Sequence, residues 1–295
     1  MGSPQSSIFA LGSRAHHHLE FELDASPDQL FAGVARVLDL VTTVAGVNVV
    51  VGFGPRTWAK ASPSGPIDGL VDFQTVSGTN GFTMPATQHD LWLWLHGSGT
   101  DTTFDVARLA VRALRGVARL VSEQQSFVYR ASQDLTGFED GTENPTPDRA
   151  SSIACIPHGV GAGGSVVLLQ RWVHDLDAFE ALQETEQEQV IGRTLHGSEE
   201  LDESLQAHSA HIRRVVIRDG NSQELEVFRR STAFGGLIEH GLMFLAFSRD
   251  QARLHRMLNR MAGLEDGVRD RLTDFSSPTA SAWYFAPPIE SLRLE

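Results

Sequence analysis

The sequence predicts an α+β protein made of two halves with similar topology, each an antiparallel sheet with helices on one face. Three observations support this prediction. Segments with the alternation of strands are followed by segments with helical spacing. The same order of segments occurs twice along the 295 residues. Matching segments in the two halves lie roughly 150 residues apart, which is about the length of one domain.

The first half is predicted to contain four strands and two helices. Short apolar or alternating runs bounded by Gly, Pro or polar residues indicate the strands, and apolar residues on one helical face indicate the helices. Ser26 and Gln29 form a capping-box pattern at the start of the first helix. The predicted order is a strand at 16–23, a helix at 27–41, strands at 47–54 and 90–97, a helix at 101–121 and a strand at 125–132.

The second half is predicted to repeat this order. Its predicted elements are a strand at 165–174, a helix at 175–194, strands at 211–219 and 224–231 joined by a hairpin, a strand at 240–248 and a helix at 250–262. Where two such sheets meet we expect a cleft, which is a common place for a ligand.

Composition excludes several classes of protein. The 37 acidic residues outnumber the 24 basic ones, the net charge is −13, and no Lys/Arg-rich block occurs, so nucleic acid is not an expected partner. The single cysteine, Cys155, excludes an intrachain disulfide and a Cys-based zinc or iron–sulfur site. No apolar run reaches the ~18 residues of a membrane span, and no signal peptide is recognisable, so we expect a cytoplasmic protein with no membrane partner.

Residues 136–148 read TGFEDGTENPTPD and concentrate carboxylates beside rigid turn residues. Asp-Gly and Asn-Pro are strong turn dipeptides, so one interpretation is a solvated turn. A second is that Glu139, Asp140 and Glu143 provide a carboxylate pair for acid–base catalysis, as in a glycosidase. Calcium binding is disfavoured because the spacing of a calcium loop is missing.

Histidines and arginines suggest further sites. His16, His17 and His18 alternate along a strand, so they should not converge on one metal ion, and we expect surface imidazoles. His208 and His211 precede a β-branched run, and one neutral imidazole there suffices to bind haem iron, although an ordinary polar histidine fits the pattern too. Arginines at 229–230 end a strand, either as exposed charges or with one guanidinium in a cavity, where it stabilises anionic charge.

Three stretches, in this order, resemble signature segments of bacterial dye-decolorising peroxidases, most closely the type B group. They are GFEDGTENP, SAHIRRVVI preceded by VIGRT, and FRRSTAFGG followed by HGLMFLAFS. The motif match lies mainly within 136–250, and the order of elements covers nearly the whole chain. The resemblance implies two ferredoxin-like halves, similar to the dimeric α/β-barrel superfamily, at 1–145 and 146–295. It also implies that the second half carries a pocket for haem b.

The resemblance also implies roles for individual residues. Asp140 and Arg229 match the distal aspartate and arginine, which would be catalytic, and His211 matches the proximal iron ligand. His208 competes with His211, because Ala210 stands where the family often has a serine directly before the histidine. The continuation HIRR, a hydrophobic residue and then an arginine three places on, favours His211. Further positions that match cofactor-binding residues are Arg193, which would contact a haem propionate, Ser231, Gly141 and Thr142.

The implied activity is the reduction of hydrogen peroxide coupled to the oxidation of dyes, phenolics or similar one-electron donors. Porphyrinogen oxidation or release of iron from haem is an alternative, and a haem-binding protein without turnover is another.

Relatives suggest a homodimer or higher oligomer. They also suggest manganese oxidation near Glu143, but do not identify the acceptor for the second nitrogen of the proximal histidine. Surface aromatic residues are a possible path for electrons, with candidates at Trp58, Trp92, Trp94, Trp172, Trp283, Tyr129 and Tyr284. For any one of them, however, we expect a core or interface position instead. The chain ends soon after its last predicted element, so we expect no long tail for loading into a protein compartment.

Overall fold

The computed structural model describes residues 2–24, 26–43 and 46–293, and these ranges contain eleven strands and eight α-helices. The strands are β1 (Ala15–Leu23), β2 (Val47–Phe53), β3 (Val76–Ser77), β4 (Thr83–Met84), β5 (Leu91–Gly97), β6 (Ala118–Phe127), β7 (Ser165–His174), β8 (Phe228–Arg229), β9 (Thr232–Gly235), β10 (His240–Ser248) and β11 (Ser276–Ala286). The helices are α1 (Pro27–Thr43), α2 (Pro55–Ala61), α3 (Thr100–Ala113), α4 (Pro147–Ala154), α5 (Leu176–Glu180), α6 (Glu184–Ile191), α7 (His211–Val215) and α8 (Gln251–Met261).

The two halves have the same strand order, which confirms the predicted fold class. The first half orders its strands β2-β5-β1-β6 and the second β9-β10-β7-β11, and all pairs are antiparallel. Single pairs between Phe53 and Phe285 and between Phe127 and Ala233 join the halves. With the pairing of β7 to β10, the strand order closes on itself. Residues 128–146 link the halves, and this link forms part of the site described below.

The core has a layer on each side of the first sheet. Helices α1 and α3 cover one face, where Phe21, Leu30 and Val106 are buried. The other face turns to the interior between the two halves, where Trp94 packs against Phe247. Burial of this apolar surface provides the main driving force for folding.

The prediction that the three consecutive histidines are surface imidazoles is wrong. His16, His17 and His18 are at most 4% exposed. Strand β1 is paired on both edges, with β5 and β6. Its alternate side chains over 15–21 therefore face either the helices or the interior between the halves, and these positions are buried.

Several predicted boundaries are corrected by the structure. The predicted helix over 101–121 ends at Ala113, because Gly116 adopts a φ of 75° and turns the chain into β6. The predicted helix over 175–194 is two short helices, α5 and α6. The stretch between the predicted strands at 47–54 and 90–97 contains α2, which was not predicted from the sequence.

The predicted strand over 211–219 is wrong, because residues 211–215 form helix α7 and the remainder contributes only an isolated bridge between Arg218 and Glu224. The β-branched run suggested a strand, but contacts with α6 and α8 favour a helical turn here. Only the loop of the predicted hairpin is present, with the Asp219 amide donating to the Gln223 carbonyl at 2.8 Å, and the predicted strand over 224–231 is reduced to β8. No helix in the described ranges is long and apolar enough to cross a membrane.

Candidate active site

A cavity lies between the second sheet and helices α7 and α8. Its free space is about 1400 Å³, including the part open to solvent. Apolar side chains form much of its wall, among them Ile191, Ile212, Val216, Leu242, Phe244 and Met257. A cavity with mostly apolar walls and a few polar groups suits a mostly apolar ligand.

His211 is the first residue of α7 and lines this cavity. Its Nδ1–H donates to Oδ2 of Asp270 at 2.7 Å, and Asp270 is fully buried. The backbone amide of Leu272 holds the other carboxylate oxygen at 2.9 Å. This contact places the proton on Nδ1 and leaves a lone pair on Nε2, which has no hydrogen-bond partner among the described residues. The imidazole therefore has the tautomer that a metal ion requires.

Asp270 is the functional residue that sequence reasoning missed. It lies 59 residues from His211 in a segment without helical or strand periodicity. No local pattern marks it, and only the folding of the segment after α8 back towards α7 brings the carboxylate to the imidazole.

Two contacts hold α7 in place. Gly192, just after α6, has a φ of 95°, and a Cβ there would lie 2.3 Å from Cγ2 of Ile212. A side chain at this position would therefore push α7 away, which explains the glycine of the VIGRT stretch. Arg214 is buried and donates from Nη1 and Nη2 to the Asp266 carboxylate at 2.8 and 2.7 Å.

Asp140 and Arg229 come together on the cavity wall, with Nη1 of the arginine 3.9 Å from Oδ1 of the aspartate. Their side chains are 22% and 19% exposed, so water still reaches both. Asn144 fastens the two segments, because its Oδ1 accepts from the Arg229 amide at 2.8 Å and its Nδ2 donates to the Arg229 carbonyl at 2.9 Å. Gly141, with a φ of 82°, allows the tight turn between Asp140 and Asn144.

Arg193 also lines the cavity and pairs with Glu143 at 2.5 Å. Its Nη1 donates to the Ser198 carbonyl at 2.8 Å. Burial and the charge of Glu143 raise the pKa of Glu224, another residue of the cavity wall. The described residues contain no group of three or more His, Cys, Asp or Glu side chains arranged to hold a metal ion. Manganese binding near Glu143 thus stays a prediction.

The remaining predicted residues divide between wall and surface. Gly141 and Thr142 line the cavity, whereas Ser231 is not among its lining residues. The Ser231 hydroxyl accepts from the Leu245 amide at 3.5 Å. His208 is exposed and, of the two candidate histidines, His211 alone lines the cavity. Asp140 and Glu143 each face an arginine, which differs from a glycosidase pair acting together on one bond.

The aromatic residues suggested as surface electron carriers are mostly buried. Six of the seven are at most 6% exposed: Trp58, Trp92, Trp94, Trp172, Trp283 and Tyr284. Tyr129 is partly exposed, and the guanidinium of Arg130 lies 4.8 Å from its ring centre. Six of these rings therefore have the core position that was expected of any one of them, and Tyr129 is the one candidate among the seven that reaches the surface.

Comparisons with known proteins agree along most of the chain. Residues 9–128 match the family model "Dyp-type peroxidase, N-terminal" and residues 131–291 match "Dyp-type peroxidase, C-terminal". A dye-decolorizing peroxidase of Mycolicibacterium paratuberculosis is 33% identical over 270 residues, covering 90% of this chain and 76% of that protein.

Solved structures give the same result. The crystal structure of a putative dyp-type peroxidase protein from Shewanella oneidensis has a TM-score of 0.93 at 29% identity, covering 99% of this chain and 98% of that one. A Rhodococcus jostii RHA1 DypB variant in complex with heme has a TM-score of 0.88 at 32% identity, covering 98% of both chains.

Proposed function

The chain belongs to the Dyp-type peroxidase family and is a haem-dependent peroxidase, and we propose that His211 binds the haem iron while Asp140 and Arg229 act on hydrogen peroxide. The observation that supports this most directly is the His211–Asp270 contact. It leaves a free Nε2 lone pair on a cavity that the aspartate and the arginine also line.

The residues of the cavity fit a haem group. Apolar walls suit the porphyrin, and the free imidazole nitrogen suits its iron. Arg193 supplies a guanidinium at the wall that would pair with a propionate, and Gly141 and Thr142 would lie against the cofactor. Ser231 lies two residues after Arg229 but does not line the cavity, so we propose no contact between Ser231 and haem.

When bound, haem supplies the iron at which peroxide is reduced and the oxidising equivalents that are passed to electron donors. The Asp140 carboxylate would take a proton from one peroxide oxygen and return it to the departing one. The Arg229 guanidinium stabilises negative charge as the O–O bond breaks. Asp270 holds the His211 imidazole in one orientation and raises the basicity of Nε2.

The physiological donors are proposed to be small one-electron reductants such as dyes and phenolics. A homodimer or higher oligomer is proposed on the resemblance and is tested by the mass in solution.

Asp140→Asn and Arg229→Leu test the proposed roles. Loss of a general acid–base group should lower kcat/KM for hydrogen peroxide by about 10²- to 10⁴-fold, and loss of the guanidinium by about 10²- to 10³-fold. Asp148→Asn is the matched control, because this carboxylate of the same stretch is exposed, does not line the cavity and should be dispensable. Peroxide turnover unchanged in both variants would refute these roles.

The same preparations separate the alternative activities. A protein that releases iron from haem would yield free protoporphyrin, and a haem-storage protein would show no peroxide-dependent rate above that of free haem. We expect peroxide turnover with the porphyrin and its iron retained.

A further inference from the structure

A second histidine–aspartate pair lines the same cavity. His174 ends β7 and is buried, with its Nε2 3.0 Å from Oδ2 of Asp134 and its Nδ1 2.8 Å from the Ser276 hydroxyl. Both ring nitrogens are therefore occupied. Unlike His211, this imidazole has no free nitrogen for a metal ion or a ligand, so its role must be exerted through its partners.

The partner carboxylate closes a turn. Oδ1 of Asp134 accepts from the Thr136 amide at 2.8 Å and from its hydroxyl at 2.6 Å. The Asp134 amide donates to the Phe138 carbonyl at 2.8 Å. Burial alone would raise the pKa of Asp134, but hydrogen bonds from His174 and Thr136 outweigh it and lower the pKa. The carboxylate therefore keeps accepting these bonds in mildly acidic solution.

This turn leads directly to the distal carboxylate. Phe138 is 5% exposed and packs edge-on against Phe179, with 6.2 Å between ring centres. Two residues further on, the Asp140 amide donates to the Ser132 carbonyl at 3.2 Å. Residues 132–140 thus fold back on themselves, so that a shift at the start of the loop is transmitted to Asp140.

We propose that His174, acting through Asp134, is a positioning residue that fixes the loop carrying Asp140 to the second sheet. The far end of this loop is held by Asn144 at the backbone of Arg229. The His174 contact provides the corresponding attachment at the near end, where Ser276 ties the imidazole to β11. This proposal rests on the proposed role of Asp140 in proton transfer.

Amide hydrogen exchange of the haem-loaded enzyme measures the attachment without reference to activity. His174→Ala should speed exchange across 134–140, and Asp134→Asn should do the same with less change in volume. His174→Gln retains an N–H donor near the former Nε2 position and should restore part of the protection. His255→Gln, on an exposed position of α8, is the control and should leave this segment unchanged.

Steady-state kinetics with hydrogen peroxide test whether the His174 contact affects the reaction through Asp140. His174→Ala should lower kcat/KM for peroxide by about tenfold to a hundredfold, because a misplaced catalytic group loses rate steeply. KM for the electron donor and the haem absorption band should stay the same. In an Asp140→Asn background, His174→Ala should cause little further loss, since the group that it positions is already absent.

The outcomes separate the two proposals. If Asp140→Asn itself leaves the peroxide rate intact, the proposed catalytic role fails, whatever His174 does. If Asp140→Asn lowers the rate but the two substitutions act additively, the positioning role of His174 is overturned. Unchanged exchange at 134–140 in both His174→Ala and Asp134→Asn would overturn it as well.

Discussion

The hydrogen bond between His211 and Asp270 determines what the imidazole can do. A buried carboxylate group 2.7 Å from Nδ1 fixes the tautomer and increases electron density on Nε2. The histidine could be singled out from the sequence because its type and its motif identify it. Its acceptor could not, because hydrogen-bond partners distant in the chain leave no periodic pattern.

Asp270→Asn should therefore raise the midpoint potential of the bound iron, because a neutral partner donates less electron density through the imidazole. The affinity for haem should also fall, by about 10- to 100-fold. Spectroelectrochemistry and haem titration measure the two effects. Asp274→Asn, in the adjacent turn and paired with Arg269, is the control and should leave the potential unchanged. A lower potential in Asp270→Asn would contradict the assignment.

At the scale of elements, the site depends on short segments that propensity does not predict. Helix α7 is five residues long and contains Ile and Val, so that its sequence favours a strand. Tertiary contacts decide its conformation instead. Arg214 pairs with Asp266, and Ile212 packs closely on Gly192. By contrast, β7 spans the predicted 165–174 and β10 the predicted 240–248, because long runs of buried residues specify central strands.

Gly192→Ala tests how closely α6 and α7 must pack. A Cβ would lie 2.3 Å from the Ile212 side chain, and the φ of 95° disfavours any residue with a Cβ. We expect a loss of about 1–3 kcal/mol in the free energy of unfolding and weaker haem binding.

Gly197→Ala is the control for the backbone strain alone. The φ of Gly197 is also positive, but an added Cβ would approach only Glu199, at 3.9 Å. Equal haem affinity in the two variants would show that the contact with α7 is unimportant.

At the scale of the whole molecule, two sheets enclose a polar cluster as well as an apolar core. Trp94 donates to Nδ1 of His16 at 3.1 Å, so this imidazole is bound as a neutral acceptor. Nε2 of His96 donates to the Ser7 carbonyl at 2.9 Å. The repeat of two halves was visible in the order of sequence elements. The burial of these histidines was not, because it follows from closure of the sheets.

Acid should therefore destabilise the fold. Burial and the charge of Arg230 lower the pKa of His16 to about 4, and burial, Arg230 and His16 lower the pKa of His96 to about 3. The unfolded chain binds protons first, at its ordinary value near 6.5. Stability is complete above that pH and is lost as the pH falls towards 4, by about 1.4 kcal/mol per pH unit for each imidazole.

Urea unfolding between pH 7.5 and 5 measures this loss. The slope of the unfolding free energy against pH gives the number of protons taken up on unfolding. His16→Gln should lower this number by about one, whereas His255→Gln, at an exposed position, should leave it unchanged. A free energy of unfolding that does not fall between pH 6.5 and 5 would contradict the neutral, buried state of both histidines.

The central claim is that His211 binds the iron, and titration of haem-free protein with haem tests it most directly. The wild-type protein and His208→Ala should both give the absorption band of a histidine-ligated haem. His211→Ala should lose or shift this band, and added imidazole should restore it by filling the space left in the cavity. An unaltered band in His211→Ala, with its loss in His208→Ala, would contradict the claim.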